Sequence, residues 1–169
     1  MFVNNLKTQN FRNLEDQEIE FSSGINLFVG ENGQGKTNIL EAIYILSTGK
    51  TFRSSKPKEC INWEKETAAL SCFLTDRIGE TNLSITLKEN SKEAKVNGNS
   101  TKSFSDFVGK LLVVAFYPDE LEIVRGSSSL RRQLIDKLIV DINPINIKSL
   151  VSYQKALKNK QEIRDMNLD

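Results

Sequence analysis

The octapeptide Gly30-Glu31-Asn32-Gly33-Gln34-Gly35-Lys36-Thr37 constrains this chain more than any other feature, because it fits G-x-x-x-x-G-K-[ST] and separates two segments of different periodicity. Before it, Gln17-Glu18-Ile19-Glu20-Phe21 alternates polar and apolar, Ser22-Ser23-Gly24 makes a turn, and Ile25-Asn26-Leu27-Phe28-Val29 runs apolar into Gly30. The pattern predicts two short strands joined by a tight turn, the second one buried. After the octapeptide, Ile39, Leu40, Ile43, Tyr44 and Leu46 recur at helical spacing until Gly49 stops them.

A glycine-rich loop leading from a buried strand into a helix turns its backbone N–H groups inward at a helix N-terminus, where partial positive charge gathers. In such a loop the glycines permit the tight turn, Lys36 reaches β- and γ-phosphates, and the Thr37 hydroxyl ligates Mg²⁺. The implied ligand is ATP or GTP. The bland alternative is a glycine-rich turn that fits by accident. The strand before, the helix after and the lack of a β-branched residue between Gly30 and Lys36 favour the phosphate loop.

A complete P-loop hydrolase also needs a strand-end Asp for Mg²⁺, commonly followed by a Glu that orients water. Leu138-Ile139-Val140-Asp141 imitates it, but those apolar residues continue a helical period begun at Leu130, and Ile142 stands where the Glu belongs. The run Leu111 to Phe116, followed by Tyr117-Pro118-Asp119-Glu120, reads as a buried strand with acids close behind, and stays open as a rival acid pair. No catalytic residue is assigned.

The chain has no histidine, which removes the usual general base and the commonest zinc ligand. Cys60 and Cys72 have no neighbouring ligand residues and read as reduced core thiols. Lys plus Arg number 23 against 22 Asp plus Glu, so any attraction to nucleic acid must come from local clustering. No apolar run approaches the roughly 20 residues of a membrane span. With Met1 first and no basic-then-apolar leader, a cytoplasmic protein without membrane contact is expected.

Further along, Ala68 to Leu74, Thr81 to Leu87 and Ala94 to Val96 are strand-like runs separated by turn residues, and Asn97-Gly98 suits a type I′ hairpin. An antiparallel meander is expected. Phe104 and Phe107 belong to a short helical segment and read as core. Ser127-Ser128-Ser129 offers capping hydroxyls to a helix whose Leu130, Leu134, Ile135, Leu138 and Ile139 share a face, and Asn143-Pro144 ends it. Ile145 to Arg164 again reads as a helix with an apolar face, which points to a longer protein.

In five ordered blocks the chain resembles the RecF family, whose ATPase head is similar to those of SMC and ABC proteins. The blocks are Asn10-Phe11-Arg12-Asn13; Gly30 to Asn38 with Leu40-Glu41-Ala42-Ile43; Ser47-Thr48-Gly49-Lys50-Thr51-Phe52-Arg53; Phe116-Tyr117-Pro118-Asp119-Glu120-Leu121; and Ser129-Leu130-Arg131-Arg132-Gln133-Leu134-Ile135-Asp136. The resemblance implies an α/β P-loop NTPase fold of SMC/ABC type, with an antiparallel β subdomain and the start of a helical lobe. Residues 1–126 would form the ATP-binding lobe and 127–169 the beginning of the helical lobe.

The resemblance further implies a recombination mediator that recognises gapped DNA and helps load a recombinase through ATP-gated dimerisation. Its partners would be double-stranded or gapped DNA, a second copy of itself, RecR and RecO. Its cofactors would be ATP and Mg²⁺, with Arg12 and Asn13 as nucleotide contacts beside Gly30, Glu31, Asn32, Gly33, Gln34, Gly35, Lys36, Thr37 and Asn38. In this family the signature motif, Walker B pair and D-loop lie beyond Asp169, so the chain is expected to bind ATP and hydrolyse it poorly.

Lys50, Arg53, Lys56 and Lys58 form a basic cluster with no acid among them, a candidate contact for DNA phosphates or an ordinary solvated loop. By resemblance to SMC heads, Arg53 is a sensor of DNA or nucleotide. Lys148, Lys155, Lys158, Lys160 and Arg164 read as the polar face of the last helix. Arg131 and Arg132 sit at a helix start, where the dipole disfavours them, so each needs a partner. Two other functional classes stay open: a self-contained P-loop kinase or phosphohydrolase, marked by steady turnover, and an assembly module with a structural nucleotide, marked by partner binding that survives loss of Lys36.

Overall fold

The computed structural model describes residues 1–53, 57–116 and 127–166. Two compact units divide the chain, Met1–Val113 and Val114–Asp169. The first is a six-stranded antiparallel sheet, in the order β2-β1-β3-β4-β5-β6, with helix α1 (Lys36–Thr48) against one face. Its strands are β1 Phe2–Gln9, β2 Gln17–Glu20, β3 Thr67–Thr75, β4 Glu80–Lys88, β5 Lys92–Val96 and β6 Asn99–Ser100.

The expected meander is present, and the pleat explains its core: Ala68, Leu70, Cys72 and Leu74 on β3 and Leu83, Ile85 and Leu87 on β4 all point to one buried face. The hairpin between β5 and β6 turns at Asn97 (φ 51°) and Gly98 (φ 77°), as its sequence requires. Ile39, Ala42, Ile45 and Leu46 of α1 close the core with Phe11, Phe107 and Leu111. Cys60 and Cys72 are free thiols in that core.

Strand β1 is invisible to pattern reading because Asn4-Asn5 disfavours a strand. The tertiary structure engages both side chains. Asn4 Nδ2 donates to Thr75 Oγ1 at 3.0 Å, and the Phe73 N–H donates to Asn5 Oδ1 at 2.9 Å where the β1–β3 register slips between Val3 and Asn5. The asparagines therefore satisfy a β-bulge that an apolar residue would leave short of a bond.

Three expectations are corrected. Ile25–Val29 forms no strand: Ile25, Leu27 and Val29 are exposed, and only Phe28 packs inward, edge-on to Phe21 with centroids 6.1 Å apart. Leu111–Phe116 is likewise not a strand, with Leu111 buried and Leu112, Val114 and Phe116 exposed. Both are apolar runs of strand length, but among the described residues neither has a neighbouring strand to complete its ladder. The buried face of α1 is also rotated from the expected one. Leu40 is 54% exposed, while Asn38 and Glu41 are buried because they hydrogen-bond to side chains across the unit.

The second unit contains α2 (Ser128–Ile142) and α3 (Asn146–Met166), which pack on each other through the turn at Asn143-Pro144. Ser127 occupies the N-cap in extended conformation but makes no side-chain cap bond; its hydroxyl meets that of Ser129 instead. Ile135, Leu138 and Ile139 of the predicted apolar face are exposed. Among the described residues no helix is long and apolar enough to cross a membrane.

Candidate functional site

The site starts from the turn after β1. Phe11 is fully buried and bridges to Ile61, while Arg12 N donates to Cys60 O at 2.9 Å and Asn62 Nδ2 donates to Arg12 O at 3.0 Å. These bonds hold Asn10 (φ 51°) and Arg12 (φ 52°) in the left-handed region, which non-glycine residues enter only at a cost. With Phe11 anchored in the core, Arg12 and Asn13 line the adjacent cleft.

The guanidinium of Arg12 grips the carboxylate of Glu41, which is fully buried on α1, through Nε–Oε2 at 2.7 Å and NH2–Oε1 at 2.8 Å. A third bond runs from NH1 to Glu59 O at 2.9 Å. Burial by itself lowers the Arg12 pKa, but the hydrogen bond and charge of Glu41 outweigh it and hold the group above its ordinary value. Arg12 is permanently cationic, and three of the five guanidinium N–H groups are spent on positioning it.

The glycine-rich loop is shaped as its sequence demands. Gly33 (φ 86°) and Gly35 (φ 88°) are both left-handed, and a Cβ on Gly35 would strike Leu14. Gly35 is the N-cap of α1, its carbonyl accepting from Asn38 N and Ile39 N, so the N–H groups of Lys36 and Thr37 precede the intrahelical ladder. Lys36 folds back over the loop, its Nζ donating to Gly30 O at 2.7 Å and Glu31 O at 2.6 Å.

A relay of side chains braces that loop. Asn13 Nδ2 donates to Gly33 O at 2.7 Å, Asn38 Nδ2 donates to Asn13 Oδ1, and Arg53 NH1 donates to Asn38 Oδ1 at 2.8 Å. A cleft of about 360 Å³ results, lined by Arg12, Asn13, Asn32, Lys36, Arg53 and Trp63 among others, with Glu59 its one carboxylate among the described residues. Cations dominate its walls, and the amide end of α1 adds to them.

Of the residues singled out in the sequence, Arg12, Asn13, Asn32, Gly33, Gly35, Lys36, Thr37, Asn38 and Arg53 meet in this cleft. Gly30 and Glu31 contribute carbonyls to Lys36, and Gln34 is exposed and does not line it. Lys50 and Lys58 lie outside it, Lys58 in an exposed ion pair with Glu89 at 2.5 Å. Lys56, Asp119 and Glu120 fall outside the described residues. Sequence reading missed Glu41, Glu59 and Trp63. The signal for Glu41 was its place beside Ala42 and one turn from Ile45 on a buried helix face, where a carboxylate demands a partner.

A family model described as an AAA domain matches residues 5–168. The DNA replication and repair protein RecF of Shouchella clausii is 41% identical over 160 residues, covering 95% of this chain and 43% of its own length. That of Enterococcus faecalis is 38% identical over 162 residues, covering 96% and 43%. The chain thus spans less than half the length of the curated relatives it matches. Among solved structures, one of the recombination mediator protein RecF-ATP in the RecFOR pathway superposes with a TM-score of 0.89 at 35% identity, covering 96% of this chain and 45% of that one. The SMC head domain from Thermotoga maritima superposes at 0.54 with 25% identity, covering 75% and 52%. From the extent of these matches, the chain belongs to the AAA domain family and corresponds to the N-terminal part of RecF.

Proposed function

We propose that this chain is the ATP-binding part of a RecF-type recombination mediator. The observation that carries the proposal is the geometry of Lys36, arched over two loop carbonyls at the first turn of α1 within a cation-lined cleft. Triphosphate oxygens replace those carbonyls as acceptors for the ammonium, while the leading N–H groups of α1 and the loop amides meet the remaining charge. Arg53 and the Arg12 guanidinium extend the same cationic wall.

The donor set fits Mg²⁺ held chiefly by nucleotide phosphates, with the exposed hydroxyl of Thr37 as its protein ligand. Among the described residues no group of His, Cys, Asp and Glu could hold a metal unaided. Bound there, the ion would supply positive charge to the nucleotide phosphates. No Walker B pair is assigned within the chain, so it binds ATP and turns it over slowly.

The wider reading follows the family: residues 1–126 as the ATP-binding lobe and 127–169 as the beginning of a helical lobe, in a cytoplasmic protein. ATP stabilises a closed dimer because phosphate charge is met from two subunits, and gapped DNA is held while that state lasts, with RecR and RecO as further partners. Lys50 and Lys58, exposed and outside the cleft, are the proposed DNA contacts among the described residues, whereas Arg53 is assigned to the nucleotide. Calorimetric titration of Mg-ATP into the chain and into Lys36→Ala tests the core of this proposal. Binding that disappears in the variant supports it; a folded wild-type chain that binds no ATP overturns it.

A further inference from the structure

Trp63 is the single tryptophan of the chain, and it is 99% exposed although it lines the same cleft as Lys36. An indole offers the largest apolar surface of any side chain, and leaving it wholly in water forgoes burial that the core would reward.

The backbone around it is firmly held. On one side Ile61 bridges to Phe11, Asn62 N donates to Asn10 O at 2.8 Å, and Asn62 Nδ2 donates to Arg12 O at 3.0 Å. On the other, Lys65 N donates to Asn62 O at 2.9 Å and closes a turn with Trp63 near its crest. A tight turn clipped to the segment that carries Arg12 thus presents an indole with almost no contacts of its own. That combination of a fixed stalk and an unengaged ring suits a planar ligand that arrives from solution.

We propose that Trp63 is the platform on which the base of the bound nucleotide stacks, Lys36 and α1 holding the triphosphate elsewhere in the cleft. The inference rests on the nucleotide reading of the cleft and deepens it by naming the base-contacting residue. Stacking uses the π-face common to all bases, so Trp63 supplies affinity for a nucleoside triphosphate over bare triphosphate rather than a choice between adenine and guanine. Arg12 and Glu59 line the same cleft. Arg12 is pinned by Glu41 and Glu59 and holds its place as the base docks.

Because the chain has one tryptophan, its fluorescence reports on this residue alone. The wild-type chain is titrated with ATP and with inorganic tripolyphosphate, and Trp63→Ala and Trp63→Phe are titrated with both by calorimetry. The expected result is a fluorescence change with ATP and little with tripolyphosphate. Trp63→Ala weakens ATP on the order of tenfold and leaves tripolyphosphate unchanged, and Trp63→Phe recovers most of the loss. Equal affinity of wild type for ATP and tripolyphosphate, or ATP binding untouched in Trp63→Ala, overturns the platform while the phosphate site stands. A fluorescence change that tracks protein concentration and ignores ATP assigns the ring to a protein contact and also overturns it. If neither ligand binds the folded wild type, the nucleotide reading itself fails and the platform falls with it.

Discussion

Arg12 and Glu41 form a two-pronged ion pair, at 2.7 and 2.8 Å, that ties the turn after the first strand to the first helix. The Glu41 side chain is fully buried and that of Arg12 is 18% exposed, so the carboxylate has no water to fall back on and the guanidinium little. Removing one member strands the other in the interior, which costs about 3 kcal/mol or more. Glu41→Ala and Arg12→Ala should each lower unfolding stability by that order in urea titrations. The double replacement Arg12→Met with Glu41→Leu should recover much of the loss, because no buried charge is then left unpaired. A double-mutant cycle that finds the two losses additive would refute the coupling.

Gly49 and Gly98 both have positive φ, at 66° and 77°, yet they should answer substitution differently. At Gly98 a Cβ meets nothing, so Gly98→Ala costs only the left-handed conformation, about 1 kcal/mol. At Gly49, the C-cap of α1, a Cβ would run into the ring of Phe104. That ring is wedged between Phe107, at a centroid distance of 5.6 Å, and the Lys92 ammonium 4.0 Å above it. Gly49→Ala should therefore cost about 3 kcal/mol, at the upper end of the usual cost of overpacking. Thermal melts of the two variants side by side check the difference; equal shifts would count against it.

Cys60 and Cys72 are buried thiols whose pKa values burial raises, to about 11 and about 12. Arg12 pulls Cys60 the other way and a backbone bond to Leu83 does so at Cys72, but burial outweighs both. A thiol with a raised folded pKa keeps its proton longer in the native state than in the unfolded one. Its contribution to stability is complete below the unfolded value near 9.0 and is lost as pH climbs toward the folded one. Unfolding free energy should accordingly decline between about pH 9 and 12, and Cys60→Ala should flatten part of that decline. At neutral pH both thiols should resist a thiol reagent in the native chain and react together in denaturant.

How much of this could be read from sequence divides along local and non-local lines. The turn at Gly33 and Gly35, the span of helix α1 with its stop at Gly49 and the hairpin at Asn97-Gly98 are set by nearby residues and stand as read, although the strand expected before the loop and the buried face expected of α1 do not. Strand β1 escaped notice because Asn4 and Asn5 look like loop residues until Thr75 and Phe73 supply their partners. The opposite failure befell Ile25–Val29 and Leu111–Phe116, whose apolar runs are strand-like but say nothing about which strand accepts their ladder. In the site the pattern G-x-x-x-x-G-K-T marked the glycine-rich turn and Lys36, which line the cleft. The Asn13–Asn38–Arg53 relay and the Glu41 anchor depend on contacts between distant segments, and Trp63 belongs to no motif.

That relay carries a prediction of its own. Asn38 is buried, accepts from Arg53 and donates to Asn13, which in turn holds the Gly33 carbonyl. Asn38→Ala removes the middle of the chain and frees Gly33 to drift, while α1 keeps its packing through Ile39, Ala42 and Ile45. Nucleotide affinity should fall on the order of tenfold, with a stability loss of about 1 kcal/mol for the broken hydrogen bonds. Calorimetry and urea denaturation on the same preparation separate the two effects, and a loss of stability without loss of affinity would sink the bracing role.

The exposed run at Ile25, Leu27 and Val29, which are 96%, 83% and 83% exposed, should govern how the chain behaves in concentrated solution. Apolar side chains displayed to water, on a segment that has no strand neighbour among the described residues, form an edge to which other chains can add. Leu27→Lys places a charge on that edge without touching the core, so unfolding stability should change by no more than about 0.5 kcal/mol. Light scattering at rising concentration should show less association for the variant than for wild type. Phe28→Lys is the contrasting substitution, because Phe28 packs against Phe21 and the core, and it should lower stability as well. Identical association of Leu27→Lys and wild type would show that this segment is not the edge through which chains meet.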